Sequence, residues 1–506
     1  MTADAVASTQ RFTLASLIAV LLSLVVWTGI YGRIGDVAIR FDKDLLYLYL
    51  CGAEYGGQAS HDQQDKLVEH LVAASAHEHY VYRAKMRAAY CDNYPYTSLS
   101  MYFAGQVQRS LGMTDPAKDF AEFLFVSLRW GMVLSGALLG GLCLLIAFWA
   151  ARGPLVLPLF GAIALAALFY LAVPPPDISW SLYQQTPAPP APIVSLHRTF
   201  GLGLYTWINP TGAFSPFSVF PRSLCAMLAF AAYALRWSGR GGLAYWAPIA
   251  VSFVHQSEAP ILLGVMIACD VVHQPKALLR PACFVPIVVT VALTALRERM
   301  FSIMGFSWVT AAIVLAVLIG LIVLAFTVPR IRSAVTSTWS LIDRLRVRWF
   351  AGLSLPASDT IVIVVGWVAV VILCYVVSRH DYVYRVGYLW SELFPRYIGL
   401  FQLPVFAGLI YAVWPWVLAK RPTATREALA VLSCLMFVIA IIEWKGPWTP
   451  TADIVAKSRT YEQEVLQQRY TPEEASFSKI ETPWYYLMLR HAYLGGKGLD
   501  QYFSKS

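Results

Sequence analysis

The feature that most limits what this chain can become is a series of apolar runs, most of them about 20 residues long, the length at which a helix crosses a bilayer. They fall at 12–32, 126–150, 154–174, 217–236, 281–296, 304–328, 359–378, 397–419 and 427–444. In hydrocarbon, each backbone N–H and C=O needs a partner within its own segment, so runs of this kind must be α-helical. Only 14% of the 506 residues are charged, against roughly 25% in a soluble domain. The expected fold is all-α: a polytopic transmembrane helix bundle over residues 1–444.

Residues 241–272 form one apolar run of about 30 residues, too long for a simple crossing. Arg236 and Arg240 precede it, and Lys276 and Arg280 follow it. A single crossing would put one basic loop on the wrong side, because Lys and Arg collect on the cytoplasmic face. Two short helices turning at His255-Gln256-Ser257-Glu258-Ala259-Pro260 remove the conflict. With this broken hairpin, the bundle has about 11 crossings. Arg152, Arg236, Arg240, Lys276, Arg280, the cluster Arg330 to Arg348, and Lys420, Arg421 and Arg426 then share the cytoplasmic side. The first run has no small-x-small cleavage site before Gly32-Arg33, so it reads as a retained helix with a cytoplasmic N-terminus. The net charge of +9 is thereby a topological signal. Basic and aromatic residues do not interleave in a way that suits nucleic acid.

The opposite side receives a large extracytoplasmic first loop (33–125), a second loop (174–216), and a small helical tail (445–506). The first loop holds an amphipathic stretch from Gln64 to Ala89, suited to lie at the membrane surface. It also holds Cys51 and Cys91, the only two of the eight cysteines in a polar loop. In an oxidising compartment they could form a disulfide; two unpaired thiols are the alternative. Cys143, Cys225, Cys269, Cys283, Cys374 and Cys434 read as small buried hydrophobes. No Cys/His spacing marks a metal site, and the sequence names no cofactor.

Asp42 and Asp44 follow the first span. A carboxylate at the membrane surface can serve as a general base on an acceptor hydroxyl, or simply favour a helix N-terminus. Tyr94 and Tyr96 flank Pro95, in a turn that proline alone explains; aromatic rings there suit either an interfacial belt or the face of a sugar. His197 and Arg198 lie in the proline-rich second loop. Arg222 stands at the mouth of the next span, where it either snorkels or holds a phosphate in its fork of donors. His255 and Glu258 are ionisable groups within an apolar hairpin, facing a cavity or each other. Arg379 and His380 lie at an outer mouth, placed for an anionic ligand or for pairing with Asp381.

Over residues 12–280 this arrangement resembles the GT-C superfamily of integral-membrane glycosyltransferases. The matching features, in order, are Asp42-x-Asp44 with Tyr47 and Tyr49; the turn Asn93-Tyr94-Pro95-Tyr96; Phe214-Ser215-Pro216 and Phe220-Pro221-Arg222; Ser238-Gly239-Arg240-Gly241; and Val254-His255-Gln256. The doubled proline at 95–96 and a proline after His255 are missing from the pattern. The resemblance implies a polyprenyl-phosphate-linked sugar donor, a glycan, lipid or protein acceptor, and a site on the extracytoplasmic side of a bacterial inner membrane. It makes Asp42 or Asp44 the base, and Arg222, Arg379 and His380 a phosphate cradle. The competing readings are a polysaccharide polymerase or ligase, a lipid-linked-sugar transporter, and a non-catalytic membrane protein of similar build. A transporter should carry charges near mid-membrane on several helices, and His255 and Glu258 alone suggest themselves.

Overall fold

The structure, a computed structural model, describes residues 14–41, 128–151, 153–172, 222–255, 258–295, 352–378 and 394–445, with isolated short pieces elsewhere. The longer helices are α1 (Leu14–Phe41), α2 (Leu128–Ala150), α3 (Val156–Ala172) and α4 (Arg222–Trp237). After these come α5 (Gly241–Ala244), α6 (Trp246–Val254), α7 (Ala259–His273) and α8 (Pro281–Ala295). The last are α9 (Leu355–Ser378), α10 (Phe394–Lys420) and α11 (Ala424–Lys445). No strand occurs among the described residues.

Four stretches are long and apolar enough to cross a membrane: Leu14–Gly32, Val133–Ala150, Tyr397–Lys420 and Ala424–Trp444. The run 304–328 lies outside the described residues. The bundle's outer faces are apolar in helical register. Val365, Val368 and Ile372 on α9 and Val431, Val438 and Ile442 on α11 are all exposed. Such faces are unfavourable in water and indifferent in lipid.

Small residues let the helices approach closely, as membrane bundles require. Gly136 and Gly140 of α2 face Tyr31 and Trp27 of α1, and a Cβ at either glycine would collide with the facing ring. The Trp27 indole N–H donates to the Gly136 carbonyl at 3.3 Å. On the far side, Gly408 of α10 lies against Thr360 of α9, and Gly366 of α9 against the Tyr397 hydroxyl. Tyr397 donates to the Ile363 carbonyl at 3.4 Å. These contacts make α1 antiparallel to α2, and α9 antiparallel to α10.

Helix α4 is the central pillar, buried along nearly all its length from Ser223 to Trp237. Its alanines present little bulk, so neighbours close in from several sides. Tyr233 meets Phe401 of α10 edge-on, with ring centroids 6.1 Å apart. The segment 241–273 is broken, with α6 ending at Val254 and α7 starting at Ala259. Tyr245, just before α6, donates to the Asp270 carboxylate near the end of α7 at 2.6 Å. The two helices are therefore an antiparallel hairpin, with its base at the Arg236 end of α4.

The first apolar span ends at Gly32 as expected, while its helix continues to Phe41. Loss of hydrophobicity does not end a helix, and residues 33–41 contain no proline and a single glycine. Cys434 is not a buried hydrophobe: it is exposed on α11, whereas Cys143, Cys225, Cys269 and Cys283 are buried as expected.

Candidate functional site

The best-defined polar centre lies at the base of the hairpin. Arg236 occupies the last turn of α4, where a cation complements the helix dipole. Its Nε donates to Asp359 Oδ2 at 2.7 Å and its Nη2 to Asp359 Oδ1 at 3.2 Å. This is the two-pronged guanidinium–carboxylate fork. Its Nη1 donates to Asp270 Oδ1. Trp237 donates its indole N–H to Asp359 Oδ2 at 2.9 Å, and Tyr245 completes Asp270 through Oδ2. Arg236, Asp270 and Asp359 are 4%, 3% and 0% exposed, so the charges are removed from solvent together.

Burying ions is costly unless their partners are complete. Here both oxygens of each carboxylate accept a hydrogen bond. One guanidinium against two carboxylates leaves one negative charge in excess, moderated by the Trp237 and Tyr245 donors. The arrangement ties α4, α7 and α9 at one level. It is a clamp, because oxygens already engaged by Arg, Trp and Tyr are poorly placed to take a substrate proton.

Arg236, expected among the cytoplasmic loop charges, is instead helical and buried. Asp270 and Asp359 are functional residues that the sequence expectations lack, although each sits in or at the end of an apolar run, where an ionisable group is a signal of the same kind as His255 and Glu258.

A second group of polar residues lies towards the opposite end of α4. Arg222 is its first residue. Next to it, the Ser223 hydroxyl donates to the Tyr31 hydroxyl of α1 at 3.2 Å. Phe217 packs on Trp27 with centroids 5.9 Å apart. Arg222 is thus held beside the end of the first span. On another side of α1, Gly29 abuts the buried Glu443 of α11 and its neighbour Trp444. The Trp444 indole donates to the Val25 carbonyl at 3.1 Å. Glu443 was not among the predicted residues; its position as the last acid of the final apolar run was the available signal.

His255 follows α6 in extended conformation, and its N–H closes on the Val251 carbonyl at 2.8 Å. Glu258 precedes α7, is 2% exposed, and donates its backbone N–H to the His255 carbonyl at 3.1 Å. The structure thus brings His255 and Glu258 into one tight turn. Because the hairpin base is level with Arg236, this turn lies on the Arg222 side of the clamp. Asp42, Asp44, Tyr94, Tyr96, His197, Arg198, Arg379 and His380 lie outside the described residues, as do Cys51 and Cys91. Among the described residues no cluster of His, Cys, Asp and Glu has the composition of a metal site.

No family model matches the chain, and neither a curated protein nor a solved structure matches it.

Proposed function

We propose that this chain is a multi-pass membrane glycosyltransferase of GT-C type. It moves a sugar from a polyprenyl-phosphate donor to a glycan, lipid or protein acceptor on the extracytoplasmic side. The observation that carries the reading is the Ser223–Tyr31 hydrogen bond at 3.2 Å. It sets Arg222 beside the helix whose continuation leads into Asp42 and Asp44. The candidate phosphate-holding guanidinium thus lies beside the helix that precedes Asp42 and Asp44 in the chain.

In the proposed reaction, Asp42 or Asp44 takes the proton of the acceptor hydroxyl. The hydroxyl oxygen then bonds to the anomeric carbon with inversion. The bond from that carbon to the phosphate oxygen breaks, and the polyprenyl phosphate leaves with the electron pair. Arg222, with Arg379 and His380, balances the charge that develops on the phosphate. Tyr94 and Tyr96 offer ring faces to the sugar, and His197, Arg198, His255 and Glu258 are the further candidates for substrate binding. The N-terminus is cytoplasmic, the C-terminus extracytoplasmic, and the bundle has about 11 crossings.

Separate D42N and D44N variants, assayed for sugar transfer from a labelled polyprenyl-phosphate sugar, test the assignment. Loss of turnover in one variant with donor binding retained supports it; full transfer by both removes it.

The alternative reading is a lipid-linked-sugar transporter; Arg236, Asp270 and Asp359 are buried on three different helices, but at one end of the bundle and not at mid-membrane. In vesicles, movement of labelled donor across the bilayer without transfer to any acceptor would select it.

A further inference from the structure

The base of the bundle carries another arginine, Arg240, whose surroundings differ from those of Arg236. It follows Gly239, whose φ of 82° places it in the left-handed region and turns the chain out of α4. The Arg240 guanidinium carbon sits 3.9 Å from the centroid of the Trp149 ring. Its Nη1 is buried and has no hydrogen-bond partner among the described residues. The rest of the side chain is partly exposed. A guanidinium with an unmatched donor at an apolar surface is unfavourable, so an acceptor from outside the described residues is called for.

Three observations identify that acceptor. First, the neighbourhood is basic: Gly242 packs against Ala282, bringing the Arg240 turn alongside the segment with exposed Lys276 and Arg280. From Ser238 to Cys283 the only acids are Glu258, at the far turn of the hairpin, and Asp270, already held by Arg236. Second, the ring under Arg240 ends an exposed stripe on α2, namely Leu138, Leu142, Leu145 and Trp149. Their spacing places them on one helical face, about 16 Å long at 1.5 Å per residue. Third, Leu243 and Trp246 beside Arg240 are exposed too, so the turn is surrounded by lipid-facing side chains.

We infer that Arg240, Lys276 and Arg280 form a headgroup site for an anionic phospholipid, whose acyl chain lies along the Leu138–Trp149 stripe. The phosphodiester accepts from Arg240, and Lys276 and Arg280 favour a net negative headgroup over a zwitterionic one. Trp149 holds the guanidinium from behind through its ring face. This site stands at the opposite end of α4 from Arg222 and does not depend on the proposed glycosyl transfer.

The test is native mass spectrometry of the full chain, titrated with phosphatidylglycerol or phosphatidylcholine. Wild type is expected to prefer phosphatidylglycerol, and R240Q to lose about fivefold in affinity for it, the worth of one interfacial charge. R421Q removes the charge of an arginine whose side chain is 74% exposed, and it should leave the preference unchanged. Equal loss in R421Q would mean general surface charge and overturn the site. An R240Q variant that binds like wild type, or a wild type without headgroup preference, would do the same. Competition by millimolar inorganic phosphate would reassign the site to free phosphate. If R240Q fails to fold, the exposed pair K276Q/R280Q reads the same site, and an unchanged preference there overturns it.

Discussion

Arg236 and Asp359 are 123 residues apart in the chain, yet they meet through two parallel hydrogen bonds of 2.7 and 3.2 Å. Asp270 shares the same guanidinium. Removing the cation strands two buried carboxylates, whereas removing Asp359 still leaves Arg236 one partner. R236M is therefore expected to destabilise the bundle more than D359N. For R236M the expected cost is about 3–5 kcal/mol, the range for a broken buried ion pair. Thermal or denaturant unfolding in detergent gives the order; the reverse order would contradict the clamp.

Tyr245 supplies the remaining donor to Asp270, at 2.6 Å. Y245F keeps the ring and removes that donor from a charged acceptor, for an expected cost of about 1.5–3 kcal/mol. In a double-mutant cycle with D270N the two losses should fall short of additive. Strict additivity would mean that the pair does not interact.

The glycines divide into two classes that substitution should separate. A Cβ at Gly136, Gly140 or Gly408 collides with Tyr31, Trp27 or Thr360, while Gly264 has nothing within 4 Å. G136V and G408V are expected to lose about 1–3 kcal/mol or fail to accumulate, as overpacked sites do. G264A should be neutral or slightly stabilising, since it sits inside α7 and alanine is the better helix former. Expression level and melting temperature report both.

Membrane sidedness is open to direct labelling. Once Cys51 and Cys91 of the first loop are replaced, S238C and K276C should react with a membrane-impermeant maleimide only from the cytoplasmic side. G56C should react only from outside. Labelling of S238C and K276C from opposite sides would rule out the hairpin topology.

Glu443 offers a test of the proposed site that does not rely on the loop carboxylates. It is buried against the same helix that Ser223 bonds, close to where the first span ends. E443Q keeps the shape of the side chain. A fall in sugar transfer with the melting temperature held within a few degrees is the expected result. Unchanged transfer would confine Glu443 to packing.

Helix positions were largely legible in the sequence, because bilayer thickness converts directly into run length. The break in 241–273 was legible for a different reason: basic loops at both ends of one apolar run are incompatible with one crossing. The clamp was not legible. Asp270 and Asp359 are single acids in long apolar context, and nothing local says that Arg236 will reach both. That pairing depends on how α4, α7 and α9 are stacked, which hydropathy does not encode. The end of α1 was not legible, because hydropathy measures where lipid stops, and helicity continues until something breaks it. Of the candidate site, Arg222, His255 and Glu258 could be located, and the loop residues lie beyond what the structure describes.

The length of α1 has a further consequence. Its 28 residues make a rod about 42 Å long, against a hydrocarbon core of roughly 30 Å. From Tyr31, which is level with Ser223, to Phe41 the rod rises about 15 Å. A donor phosphate held by Arg222 would lie near the foot of that rise, and Asp42 follows its summit. On the proposed reading both groups meet one sugar, although about 15 Å of helix separates the two levels. The first helix would then act as a mast, and any acceptor would have to approach through the gap between mast and bilayer, which favours slender or lipid-borne acceptors over bulky folded ones.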